Sequence, residues 1–323
     1  VNQTIIELVD LTKKYGSFTA VDQLNLTVRK GEVFGLLGPN GAGKSTTILM
    51  MLGLTEPASG MVKVCDINST ENPIAVKRKV GYLPEDVGFY PDRSGLENLM
   101  FIAQLNHLSE YEAAEKAEEL LARVGLSKEA HKKTGKYSRG MRQRLGLAEV
   151  LIKNPEVIIL DEPTSGIDPT GIREFLELIV QLSKEEGITV LFSSHNLHQV
   201  QQVCDRVGLF VHGKLIAEGD IQSLSQQLFA NEPYIIEAGI AEKEVPAGKE
   251  KNGHKLNELL SNIEGVTSVK QKGKLLQIGC SQDVTADIAR QLVGAGADLN
   301  SLHKKEYGLD DIYNRYFEGG AYE

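Results

Sequence analysis

Gly38-Pro39-Asn40-Gly41-Ala42-Gly43-Lys44-Ser45, followed by Thr46, sets three glycines, a lysine and a hydroxyl at the spacing G-x-x-x-x-G-K-[ST]. Phosphate oxygens need many donors at close range, and glycines let backbone N–H groups approach without a Cβ in the way. The positive end of a following helix adds to that attraction. Lys44 is placed to reach β- and γ-phosphates, and the Ser45 hydroxyl to ligate Mg²⁺. A Gly-rich turn with a chance Lys-Ser pair would need no particular flanks. Here an apolar run at 33–37 reads as the strand before the loop and 46–54 as the helix after it. The segment predicts a bound nucleoside triphosphate.

The elements that must position this loop can be read along the chain. Residues 5–9, 24–28 and 60–67 read as strands. The short apolar runs 157–160 and 188–193 suit buried parallel strands. Ser109 and Glu112 make a capping box for a helix with Ala113, Ala117, Leu120, Leu121 and Val124 on one face, stopped at Gly125. Asp168-Pro169 opens a helix that turns Phe175, Leu176, Ile179 and Leu182 towards a core and stops at Gly187. Strands alternating with helices predict an α/β sheet with its phosphate site at the strand ends.

Beyond about residue 230 the order becomes β-α-β-β-α-β: strands near 233–236, 266–269, 275–280 and 299–304, helices near 256–263 and 287–293. That order matches the ferredoxin-like split motif. A flexible loop is expected at 242–253, a turn at Lys272-Gly273-Lys274 and a closing helix at 309–317. The expected domains are 1–230 and a small α+β unit at 231–323, with no second phosphate loop and no internal repeat.

Composition narrows the class. With 41% hydrophobic and 24% charged residues the chain can bury a full core. Its 35 basic against 44 acidic residues give a net charge of −9, which argues against a general nucleic-acid binder. No apolar run approaches the ~18 residues a membrane span needs, and no secretory signal is evident. Cys65, Cys204 and Cys280 are too scattered for a disulfide framework or a metal cluster. The expectation is a cytosolic protein.

Further residues occur in an order that carries a family resemblance. Tyr15 precedes the loop; Tyr137-Ser138-Arg139-Gly140-Met141 comes next; then Val157-Ile158-Ile159-Leu160-Asp161-Glu162 followed by Pro163-Thr164-Ser165-Gly166-Ile167-Asp168; then His195 after an apolar strand. A pair of acids ending a strand is usually a solvated edge, and a lone histidine is usually structural. In this order, residues 4–230 resemble the ATP-binding subunit of an ABC transporter. The fold implied is a P-loop ATPase domain with a mixed-sheet core, an antiparallel β subdomain and a helical subdomain.

The resemblance implies roles. Tyr15 would stack on adenine. Gly38, Pro39, Asn40, Gly41, Ala42, Gly43, Lys44, Ser45 and Thr46 would hold the ATP phosphates, with Ser138, Gly140 and Asp168 as further nucleotide contacts. Asp161, Ser45 and Glu85 would serve Mg²⁺; Glu162 would be the general base and His195 the γ-phosphate switch. The usual signature is Leu-Ser-Gly-Gly-Gln, and this chain departs from it at three of the five positions while keeping Ser138 and Gly140. Glu85 stands where the family usually has glutamine. A second negative charge beside the γ-phosphate is expected to slow resting turnover.

Tyr82-Leu83-Pro84-Glu85, the Tyr-Ser-Arg-Gly-Met signature and a small C-terminal domain are similar to the exporter-type branch, which includes drug- and sodium-export ATPases. Residues 85–91 resemble the ATPase of nitrous-oxide-reductase maturation. Implied partners are a second ATPase subunit, identical or paralogous, and an integral-membrane permease, with the chain peripheral on the cytoplasmic face. The segment from Phe89 and Tyr90 to Phe101 would meet the permease, and the C-terminal domain would clasp the dimer. The rival readings are a soluble ABC ATPase acting on ribosomes or DNA, which usually has two ATPase halves or a long coiled-coil insertion, and a P-loop kinase or GTPase. The latter lacks an Asn-Lys-x-Asp motif here and leaves the signature and switch residues unexplained.

Overall fold

The computed structural model describes residues 3–230, 233–241, 253–273, 275–305 and 307–318. They form two compact units that divide between Asp220 and Ile221. The boundary therefore falls ahead of the helix Ile221–Leu228, not behind it at 230 as the change in element order suggested. That helix packs with the closing helix Leu309–Glu318 in the same unit, and beside them the Phe229 and Tyr307 rings stack 3.6 Å apart.

The first unit holds two sheets. The antiparallel one runs, in spatial order, Phe18–Arg29, Thr4–Tyr15, Ser59–Val64 and Ile67–Asn68. The strand expected at 60–67 is broken because Cys65 and Asp66 take left-handed backbone (φ 52° and 60°) and turn the chain into a hairpin. The second sheet runs Lys214–Gly219, Arg206–Val211, Val33–Leu37, Thr189–Ser194, Val157–Asp161 and Val80–Leu83. All its neighbours are parallel except the Lys214–Gly219 edge. Val33–Leu37, Val157–Asp161 and Thr189–Ser194 are buried at every position, which is why their sequences are predominantly apolar, without the alternation of a half-buried strand. Ile6, Leu8, Leu24 and Leu26 of one sheet share a single core with Phe34, Leu36, Ile159, Leu191 and Phe210 of the other.

The helix after the phosphate loop spans Lys44–Met51, not 46–54. It begins as soon as Gly43 completes its turn, and Gly53 (φ 60°) ends it early. The helical part contains Gly95–Leu105, Glu110–Arg123 and Arg139–Leu151. The Ser109–Glu112 capping box forms in full, and the Ser109 hydroxyl and N–H hold the Glu112 carboxyl below its usual range. A second box, Ser94 with Glu97, opens Gly95–Leu105.

The second unit is a four-stranded antiparallel sheet in the order Val266–Lys272, Leu275–Cys280, Tyr234–Ala241, Asp298–Lys305. The helices Gly253–Ser261 and Thr285–Gly294 complete a split β-α-β connectivity over a core of Ile236, Ala238, Leu260, Leu276, Ile278, Ile288 and Leu292. The loop expected at 242–253 lies outside the described residues except for Gly253, as does Lys274 of the expected turn.

Asn98, 3% exposed, organises the approach to Gly95–Leu105. It accepts from the Tyr90 N–H (2.9 Å) and donates to the Ser94 and Tyr90 carbonyls (2.8 and 3.2 Å). Replacing it with alanine leaves the part-buried Tyr90 N–H without its partner, while the Tyr90 carbonyl keeps the Arg93 N–H and Thr134 hydroxyl and the Ser94 carbonyl keeps the N–H of residue 98. Asn98→Ala is expected to lower the unfolding free energy by about 1–3 kcal/mol in urea titration. A shift below about 0.5 kcal/mol would show that water replaces Asn98 without loss.

Candidate functional site

The register of the parallel sheet brings the sequence-predicted residues to one edge. Leu37 pairs with Ser194, Asp161 with Ser193, and Leu83 with Leu160. Four segments therefore leave the sheet at the same level: the Gly38–Gly43 loop, Glu162, His195 and the turn carrying Glu85. Strand C-terminal ends are where open parallel sheets bind ligands.

Two glycines of the loop are demanded by space. A Cβ on Gly38 would lie 2.4 Å from the Phe210 carbonyl oxygen, and one on Gly43 would lie 2.5 Å from that of Ala20. Gly41 and Gly43 also take φ of 80° and 102°, where other residues are strained. Lys44 is 5% exposed, and its Nζ donates to the Gly38 and Pro39 carbonyls at 2.7 and 3.2 Å. Thr47 Oγ1 donates to the Gly43 carbonyl at 2.9 Å and braces the turn. Sequence reasoning stopped at Thr46 and missed it. Ser45 is exposed at the helix start.

Glu162 is the centre of the cluster. Its Oε2 is 2.9 Å from His195 Nδ1, its Oε1 is 3.6 Å from Lys44 Nζ, and its side chain is 12% exposed. The backbone there is left-handed (φ 47°), anchored by its N–H to the Ser193 carbonyl at 3.0 Å. A glutamate held in that conformation at a strand end is strain that the surroundings must enforce. The Asp161 Oδ1 and Glu162 Oε1 atoms are buried without a hydrogen-bond partner. Glu162 Oε1 faces Lys44 Nζ, which leaves Asp161 Oδ1, an acceptor-only oxygen of the kind a hard divalent cation takes, as the atom that fits Mg²⁺. Burial, reinforced by the Asp161 charge, pushes the Tyr82 phenol up to about 12, so that wall stays neutral.

Among the described residues, the remaining site candidates make no hydrogen bond or ion pair with this cluster. Tyr15, 51% exposed, ends its strand opposite Phe18, 63% exposed, and together they flank the Gly16 turn. Phe18 was not singled out in the sequence, where one exposed aromatic looks like another. Ser138 caps its own helix, accepting from the Met141 N–H at 3.2 Å. Gly140 lies in the first turn, against Ile167. Among the described residues no hydrogen bond or ion pair joins Ser138 or Gly140 to Lys44, Asp161 or Glu162. Asp168, expected among the nucleotide contacts, caps the helix Pro169–Glu186 through the Gly171 N–H (3.1 Å). The Glu85 side chain is exposed, while its carbonyl accepts from Gln143 Nε2 (2.8 Å) and Arg139 Nη2 (3.3 Å).

A phosphate cradle, a buried acid pair and a helix N-terminus turned elsewhere are the parts that comparison with known proteins can test. Residues 21–165 match the family model described as ABC transporter. The bacitracin transport ATP-binding protein BcrA of Bacillus licheniformis is 38% identical over 98% of this chain and 99% of its own length. The linearmycin resistance ATP-binding protein LnrL of Bacillus subtilis is 39% identical over 69% of this chain and 72% of its own. Among solved structures, the dimeric ATP-binding cassette MJ0796 bound to ADP and Pi superimposes with a TM-score of 0.61 at 26% identity, covering 67% of this chain and 98% of that one. CbiO1 from Clostridium perfringens, part of the ABC transporter complex cbiONQ, gives 0.64 at 30% identity over 70% and 91%. The chain belongs to the family of ABC transporter ATP-binding proteins, ATPase subunits that bind ATP with Mg²⁺, work as pairs and serve a membrane permease.

Proposed function

We propose that this chain powers the export of a drug-like or peptide-antibiotic cargo through a separate permease, bound to it at the cytoplasmic face of the membrane. The cargo class is supported by BcrA, whose likeness runs through both units, and by LnrL. Both favour the drug arm of the exporter branch over enzyme maturation. Among the described residues no helix is long and apolar enough to cross a membrane, so the membrane path would belong to the permease.

The observation that carries the catalytic reading is the Lys44–Glu162–His195 cluster. Lys44 and the loop N–H groups hold the phosphates of ATP. Glu162 takes the proton of the attacking water, and His195 fixes the orientation of its carboxylate. Asp161, Ser45 and Glu85 are the residues that would hold Mg²⁺, which when bound neutralises charge building on the phosphoryl oxygens. Tyr15 stacks on the base. Ser138 and Gly140 face the nucleotide of the other subunit, so each chain supplies half of two sites. The C-terminal unit clasps the pair.

Two experiments test this. In the full chain, Glu162→Gln is expected to cut phosphate release about 100-fold or more while leaving MgATP binding and pairing intact. From detergent-solubilised cells that variant should co-purify with an integral-membrane protein. Near-normal hydrolysis would remove Glu162 as the base, and recovery with ribosomes instead would favour a soluble ATPase. Truncation after Asp220 should raise the MgATP concentration needed for pairing. Unchanged pairing would rule out the clasp.

A further inference from the structure

Arg139 occupies the signature position where the family form has glycine, and its half-buried side chain lies along two segments of its own subunit. Its guanidinium makes three contacts on two other chain segments. Nε donates to the Ser165 carbonyl at 2.5 Å, Nη2 to the Glu85 carbonyl at 3.3 Å, and Nη1 lies 3.3 Å from Asp86 Oδ1. The socket is shaped for it. Gly166 has left-handed backbone (φ 71°), and a Cβ there would lie 2.9 Å from Arg139 Cδ. An ordinary surface arginine pairs with one flexible carboxylate, and such a pair contributes little. Two backbone carbonyls and a planar fork make a fixed bracket instead.

Both bracketed segments carry acids of the hydrolytic site. Ser165 belongs to the tight turn that begins at Glu162, its N–H donating to the Glu162 carbonyl at 3.1 Å. Glu85 follows Leu83 by two residues, as Glu162 follows Leu160, and Leu83 and Leu160 are partners in the sheet. Arg139 itself is the first residue of the helix capped by Ser138.

We propose that Arg139 is a positioning residue: it ties the helix N-terminus that meets the other subunit's nucleotide to Glu85 and Glu162 of its own subunit. This rests on the site reading above. A phosphate drawn to Ser138 and Gly140 then shifts the helix start, and the bracket passes that shift to the strand ends where Glu85 and Glu162 sit. The two sites of a pair are coupled through a side chain that the glycine form of the signature does not have.

The test measures steady-state MgATP hydrolysis by the full chain, with Glu162→Gln assayed alongside. Arg139→Gly and Arg139→Ala are expected to lower kcat about tenfold with KM within about twofold. In the Glu162→Gln background they should leave MgATP-driven pairing unchanged. Arg139→Lys keeps the charge without the fork and should remain as slow as Arg139→Gly. A kcat within twofold of the parent for Arg139→Gly, or full recovery with lysine, would overturn the bracket. Loss of pairing in step with kcat would make Arg139 a nucleotide contact and also overturn it. If Glu162→Gln itself hydrolyses normally, the underlying site reading fails. If it is inactive while Arg139→Gly is normal, only the bracket fails.

Discussion

The in-register pairing of parallel strands is the constraint on which the rest of the site depends. Because Leu37, Ser194, Asp161 and Leu83 end their strands at neighbouring levels, three loops and a carboxylate meet without any long-range adjustment. A slip of one residue in any pair would turn Asp161 or Glu162 to the other face of the sheet. The register is protected by burial: the strands Val33–Leu37, Val157–Asp161 and Thr189–Ser194 have no exposed position, so a slip would break apolar packing on both faces. The same rigidity keeps Glu162 in left-handed backbone, with His195 on one side and Lys44 on the other.

Much of this was legible in the residues because the chemistry and the fold use the same ones. Gly38 and Gly43 are required by the close approach of Phe210 and Ala20, and they are also the glycines that the phosphate-loop pattern asks for, so the pattern reports a packing need as well. Asp161 and Glu162 end an apolar run that can only be a buried strand. The Ser109 capping box was readable because its two partners are local in sequence. Where the physics is non-local, the reading stopped short. Val80–Leu83 is a strand only through a partner far along the chain, and Arg206–Val211 enters the sheet core through Val33–Leu37, about 170 residues before it. The helix Ile221–Leu228 belongs to the second unit although the element order changes only near 230, because its partner, Leu309–Glu318, lies about ninety residues onward.

Asp168 shows how one residue can answer to two patterns. Its place in the motif suggested a nucleotide contact, and its place before Pro169 suggested a helix cap; in the single chain the carboxylate bonds to the Gly171 N–H. Arg139 shows the reverse. It is a departure from the usual signature, and its side chain bridges the two segments that carry Glu85 and Glu162. Departures from a motif are informative when their contacts are traced.

On the proposed reading one chain holds half of each site: Lys44 and Glu162 form one cluster, while Ser138 and Gly140 stand on another element with no hydrogen bond or ion pair to it among the described residues. Mixing two inactive variants of the full chain tests this most directly: Lys44→Ala, which spoils the phosphate cradle, and Ser138→Arg, which spoils the opposing helix N-terminus. In a mixed pair, the intact cradle of one chain faces the intact helix of the other. MgATP hydrolysis, absent from either variant alone, is expected to return on mixing. A mixture as inactive as its components, with pairing demonstrated, would contradict it.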